Sequence, residues 1–539
     1  MIQTIKRGFL AGWDDGPEAL PGRKLLCWCL LFTFGWGLIA HAYGFLHDSF
    51  SHDVLNALVA DNVETYWKMQ LGRFSAVLYR RIIRGPVTMP WLLGLLALLW
   101  TALALFLTAK LLRIRSKGLL ALTAGVLVAN ISFIALTATY IYELDIDLLA
   151  LLGAAAAAFL WARYGWLGSA LGTLFIAGSL SLYQSYLCVA VVLIMLVCIQ
   201  ELLDGRRFGA VFGRGLRGVG MIGVGGGIYY ALLRLMARLK DIPLDTGSYN
   251  SVYTALDASG KSETLLEAIG AAYSDWAASF FDPNAAFLTV GMQRLHIAMA
   301  VLLAALLVAV LLSKSIRPAE KALLTVLVLL LPLGSNATRI LSGRAVHDLM
   351  KYAFWLVYLF LLLLGRWAKE RLNKPGRAVN AVALLLVALL LWQNVQTANA
   401  CYVKKDLEQD AALSLMTRVV DRIEQTEGYV PGETELCFVG VSDQLLPSIC
   451  GFEQYRRITG LTGSSPIITA DADYYYNVYG AYFKYILNNP GRMVGHKTWS
   501  ALQLDERALA MPAFPAAGCI REIDGVLVVK MGEQFEWES

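Results

Sequence analysis

Eleven runs of apolar residues, each long enough to cross a lipid bilayer, constrain this chain more than any other feature. They fall at about 25–45, 89–111, 118–139, 148–164, 166–182, 186–203, 212–236, 287–312, 321–338, 348–366 and 377–397. A helical span takes about 20 apolar residues, because hydrocarbon offers no partner for backbone N–H and C=O groups. Of the 539 residues, 57% are hydrophobic and only 16% charged; an ordinary soluble domain carries about 25% charged residues. The first run begins near Leu25 and no small-residue cleavage site follows it, so it reads as a retained span. The expected fold is an α-helical polytopic membrane protein of about eleven transmembrane helices.

Charge orients the spans. Arg7, Arg23 and Lys24 precede the first, and Lys110, Arg113, Arg115 and Lys117 separate the second from the third. Arg206, Arg207, Arg214 and Arg217 open the seventh, Lys314, Arg317 and Lys321 follow the eighth, and Arg366 to Arg377 precede the last. All lie on one side if the N-terminus is cytoplasmic. The net charge of +5 therefore marks orientation and gives no reason to expect nucleic acid. An odd number of crossings puts the tail outside, with loops 46–88 and 237–286 and the short turns at 140–147, 183–185 and 339–347.

Residues 1–397 are thus read as the membrane domain and 398–539 as a folded outer domain. Helical periodicity runs over 406–427 to Gly428, TELCFVGVS (434–442) reads as a buried strand, and CIREIDGVLVVKM (519–531) as a hairpin turning at Asp524-Gly525. A small α/β domain of about 130 residues fits this pattern. Its four cysteines, Cys401, Cys437, Cys450 and Cys519, are disulfide candidates on an oxidising side, with Cys437–Cys450 the local pair. Cys27, Cys29, Cys188 and Cys198 lie in spans and read as packing residues.

The first outer loop departs from the usual charge bias. It starts with Asp48, Asp53, Asp61 and Glu64 and ends with Lys68, Arg73, Arg80, Arg81 and Arg84. Trp67, Leu71, Phe74, Leu78 and Ile82 fall at helical spacing, so an amphipathic helix lying in the bilayer interface is expected. It is either an anchor on anionic lipid or a clamp for a lipid-linked phosphate. Arg339, Arg344, His347 and Lys351 form a second outer cluster suited to phosphate or sugar. Tyr183, Gln184 and Tyr186 are placed either for sugar hydroxyls or for the interfacial aromatic belt. GVGMIGVGGG (218–227) lies inside an apolar run, so it suits close helix packing and not a dinucleotide loop.

The run FSHDVLNAL…D..ETYWKMQLGRF…YRRIIRG…MPWLLGLL resembles the start of the bacterial serotype-converting glucosyltransferases that modify O-antigen, a branch of the GT-C membrane glycosyltransferases. TATYIYELDIDLLALL (137–152), SLYQSY (181–186) and HDLMKYA (347–353) follow in the family's order. Val54 stands where the family usually has a small hydroxyl residue after His-Asp.

The resemblance implies a GT-C-like membrane domain with a periplasmic α/β domain, in the bacterial inner membrane. It also implies transfer of a sugar, glucose in this family, from a polyprenyl-phosphate donor onto a polysaccharide such as that of lipopolysaccharide. A separate polyprenyl-phosphate glucosyltransferase and a flippase would supply that donor.

Chemistry of this kind assigns roles. A carboxylate takes the acceptor's proton, and Asp53 is the expected base. Arginine grips phosphate oxygens with its planar fork, which points to Arg73 with Arg80, Arg81 and Arg84. Glu64, Asp145, Asp147 and His347 are expected to bind the acceptor or a divalent cation, Mg²⁺ or Mn²⁺. The competing class is a transporter or flippase of lipid-linked sugar. It fits less well, because no internal repeat is visible and the unusual residues gather at one boundary.

Overall fold

The computed structural model describes residues 22–47, 61–85, 89–244, 264–282, 285, 289–342, 346–440, 456–463 and 479–533, with side chains from Thr65 onward in the second stretch. Asp53, Arg344 and Cys450 lie outside the described residues, as does the side chain of Glu64.

The first half of the bundle consists of α1 (Gly22–Leu46), α2 (Asp61–Gln70), α3 (Phe74–Tyr79), α4 (Pro90–Leu111), α5 (Lys117–Val128), α6 (Ile131–Thr139), α7 (Ile141–Arg163) and α8 (Gly165–Leu182). The second half consists of α9 (Leu187–Leu203), α10 (Phe208–Lys240), α11 (Leu265–Phe281), α12 (Val290–Leu312), α13 (Pro318–Ser335), α14 (Ala337–Ser342), α15 (Val357–Arg371) and α16 (Asn373–Glu424). Among the described residues ten helices are long and apolar enough to cross a membrane, or eleven spans if α5 and α6, bent by 43°, are counted as one. The chain is a polytopic membrane protein, and each expected run coincides with one of these spans.

The bend between α5 and α6 shows how a break is tolerated among apolar helices. It falls at Ala129-Asn130, and the Asn130 amide donates to the Val126 and Leu127 carbonyls at 3.0 Å each. Its side-chain oxygen accepts from the Phe133 N–H at 2.9 Å, capping the next helix. Asn394 donates to the Ala129 carbonyl at 2.8 Å, and the Tyr352 hydroxyl donates to that of Leu127. Every one of these bonds replaces a helical bond lost at the break. The glycines of α10 pack as expected: a Cβ on Gly225 would stand 2.7 Å from Ile176 of α8 and 2.9 Å from the Thr173 carbonyl.

Three expectations change. The fourth span starts at Ile141, not near 148, so Asp145 and Asp147 lie inside α7 and not in a turn before it. The expected interfacial helix from Trp67 is two helices separated at Leu71–Arg73, because Gly72 takes a φ of +78°. The last span and the helix expected over 406–427 form one 52-residue helix, α16.

The chain divides into two compact units, the first being Met1–Phe45, Asn62–Thr137 and Glu143–Ala398, the second Leu46–Asp61, Ala138–Tyr142 and Asn399–Ser539. The second holds a four-stranded sheet of β1 (Glu435–Val439), β2 (Arg492–Met493), β3 (Ile520–Ile523) and β4 (Val526–Lys530), in the order β2-β1-β4-β3. β1 runs parallel to β2 and β4, while β3 and β4 form the antiparallel hairpin read from sequence. Its turn has φ of +51° at Asp524 and +80° at Gly525, the backbone for which Asp-Gly is suited.

Leu415, Met416, Val419 and Ile423 of α16 pack on this sheet, and Phe438 stacks on Tyr479 with ring centres 4.2 Å apart. Cys401, Cys437 and Cys519 are free, buried thiols among the described residues, and Cys450, the local partner expected for Cys437, lies outside them. Cys437 belongs to the apolar core around β1, where burial pushes its thiol up to about 12.

Candidate functional site

The site grows from the break between α2 and α3. The Gln184 amide donates to the Leu71 carbonyl at 2.8 Å and to the Tyr229 hydroxyl at 3.0 Å. Tyr229 in turn donates to the Gly72 carbonyl at 3.2 Å. A side chain at position 72 would run into that hydroxyl, which leaves glycine as the residue that fits. Ser181 of α8 donates to Ser75 of α3 at 2.7 Å and fixes the second helix.

The pinned break turns three cations inward. Arg73 is buried, its guanidinium 4.2 Å from the centre of the Tyr183 ring. Lys68 is ion-paired with Glu143 of α7; burial pulls its ammonium below the ordinary lysine value while Glu143 pulls the other way. Arg84 donates to Asp145 at 2.7 Å, with both side chains buried. The Tyr79 hydroxyl adjoins the same carboxylate and accepts from Trp100 at 3.1 Å. Burial first, and the Asp145 charge second, keep that hydroxyl neutral, above the ordinary phenol range.

Asp147 differs from its two neighbours. It lies one helical turn beyond Glu143, 1% exposed, and neither carboxylate oxygen has a hydrogen-bond partner among the described residues. Lys68 and Arg73 are its opposing charges, and Glu143 and Asp145 its like ones. The Tyr186 hydroxyl, within its electrostatic reach, is also buried without a partner there. Buried ions of this kind need charge balance and ligation. Asp147 has the balance and lacks the ligation, so a polar ligand reaching it gains bonds that no described side chain supplies.

The structure sorts the remaining expected site residues. Arg80 is half-buried on the helical turn that follows α3, whereas Arg81 is exposed. Arg339 pairs with Asp275 at 3.5 Å and Lys351 with Asp348 at 2.8 Å, while His347 is exposed. Gln184, expected to hold sugar, gives its amide to the Leu71 turn. Among the described residues no group of three or more His, Cys, Asp or Glu stands close enough to hold a metal ion. Lys68, Glu143 and Tyr79 were not expected as site residues. Three carboxylates at alternate positions ahead of an apolar run were the available signal.

A model of the family described as Glucosyl transferase GtrII matches residues 42–364, more than half of the chain. The chain belongs to that family. None of the curated proteins matches it. The matched stretch of this GtrII glucosyl transferase contains every residue of the cluster around Asp147. The resemblance to serotype-converting glucosyltransferases is thereby borne out, and the chain is a membrane glycosyltransferase.

Proposed function

We propose that this glucosyltransferase moves glucose from a polyprenyl-phosphate donor onto a surface polysaccharide such as O-antigen, at the periplasmic face of the inner membrane. The observation carrying this reading is Arg73, buried at the Gly72 break within electrostatic reach of the Asp147 carboxylate, which has no hydrogen-bond partner among the described residues. Arg84, Arg339 and Lys351 are engaged by carboxylates. Arg73, buried against Tyr183 and within electrostatic reach of Asp147, holds the donor phosphate, with Arg80 two helical turns further on. In the transfer, the acceptor hydroxyl oxygen bonds to the anomeric carbon while that carbon's bond to the phosphate oxygen breaks. The phosphate keeps the electron pair and Asp53 takes the hydroxyl proton. Asp147 and Tyr186 hold sugar hydroxyls. The tail, with the N-terminus cytoplasmic and eleven crossings, faces the periplasm and meets the polysaccharide.

A second reading makes Asp147 the base, because its carboxylate has no hydrogen-bond partner among the described residues. Asp53→Asn and Asp147→Asn, compared for glucose transferred at equal membrane expression, separate the two. Loss of the base costs about 10²–10⁴-fold. The deeper loss with transfer restored by no change of donor concentration falls on Asp53 in the first reading and on Asp147 in the second. Near-normal transfer by both variants would remove this site from the reaction.

A further inference from the structure

The charges that orient the chain are not spread evenly at the other end of the bundle. Five cations, Lys110, Arg113, Arg163, Arg206 and Arg214, line one groove of about 460 Å³ where the ends of α4, α7, α9 and α10 meet. Its apolar part is formed by Phe159, Ala162 and Val197. Glu201 and Asp204 are its carboxylates. Glu201 pairs with Arg206 at 2.8 Å and with Arg214, and Asp204 pairs with Arg113. Arg214 is further fixed over the buried Trp161 ring, 4.9 Å from its centre. Lys110 and Arg163 have no ion pair among the described residues. Two carboxylates against five cations leave the groove with a net positive charge.

We propose that this groove binds an anionic phospholipid, its phosphate between Lys110 and Arg163 and an acyl chain along Phe159, Ala162 and Val197. Positive charge beside an apolar wall, at the end of a membrane span, matches a charged head joined to a hydrocarbon chain. Orientation alone requires basic residues near the span ends; it does not require four helices to bring theirs into one groove. The site is separate from the glucosyl-transfer cluster. Asp147 and Arg163 are at opposite ends of α7, about 24 Å apart at the helical rise.

The test is native mass spectrometry of the full chain in detergent with phosphatidylglycerol or phosphatidylcholine. The expected result is a preference of roughly tenfold for phosphatidylglycerol. That preference should fall to near one in Lys110→Gln/Arg163→Gln and persist in Arg371→Gln/Lys374→Gln, which removes two exposed cations outside the groove. Glucosyl transfer should be retained in both variants, which separates this site from the reaction. Equal binding of the two lipids by the unaltered chain, a measurement that needs no variant, would overturn the proposal. So would an unchanged preference in the Lys110/Arg163 variant. Displacement of phosphatidylglycerol by inorganic phosphate at equal concentration would also overturn it, by showing a site for free phosphate.

Discussion

Asp145 and Asp147 have the same side chain, two positions apart on one helix, and the fold treats them differently. Asp145 receives Arg84 at 2.7 Å and has Tyr79 alongside, whereas Asp147 receives no hydrogen bond from the described residues. The residue types were visible in the sequence; which carboxylate is left over depends on pairings between distant parts of the chain that no local pattern encodes. Arg73 is the cation whose role can be tested alone. Its guanidinium lies over Tyr183; lysine can sit over the ring as a point charge but lacks the planar fork that grips two phosphate oxygens at once. Arg73→Ala should raise the KM for the lipid-linked donor roughly 10–100-fold, the scale of a lost charge-assisted hydrogen bond. Arg73→Lys should recover part of that loss. Equal donor KM in all three proteins would make Arg73 a packing residue only.

At the scale of elements, the break between α2 and α3 decides where the cations point. Apolar residues at helical spacing continue through Gly72, so the sequence reads as one interfacial helix. The structure ends that helix with a positive φ at Gly72 and holds the turn with Gln184 and Tyr229. Leu71 is consequently buried while Leu78 and Ile82 remain exposed, although all three belong to the same expected stripe. Gly72→Ala faces a left-handed backbone cost of about 1–2 kcal/mol and a clash with the Tyr229 hydroxyl. Its transfer activity at equal expression should fall at least roughly tenfold, since about 1.4 kcal/mol is a factor of ten. Gly72→Ala/Tyr229→Phe should recover little, because the backbone cost remains. Full activity in Gly72→Ala would show that the turn does not position the site.

Across the whole molecule, the bilayer-length runs were legible because hydrocarbon tolerates little else, and all eleven expected spans coincide with helices or the bent pair. The start of α7 was misread for a physical reason. Glu143, Asp145 and Asp147 lower local hydropathy like a loop, while in the fold Lys68, Arg73 and Arg84 balance their charge within the bundle. Likewise, the polar stretch after the last span hid the continuity of α16, whose later turns gain their burial from the sheet. The tail hairpin was plain because Asp524-Gly525 specifies its own turn.

If Arg73 holds a phosphate carried on a lipid, the sugar must arrive on that lipid. The direct measurement is incorporation of radiolabelled glucose into purified polysaccharide by the full chain in vesicles, supplied with either polyprenyl-phosphate glucose or a nucleotide-linked glucose. The expected result is incorporation from the polyprenyl-phosphate donor alone, and its loss in Asp53→Asn. Incorporation from the nucleotide donor in vesicles lacking any polyprenyl phosphate would contradict it.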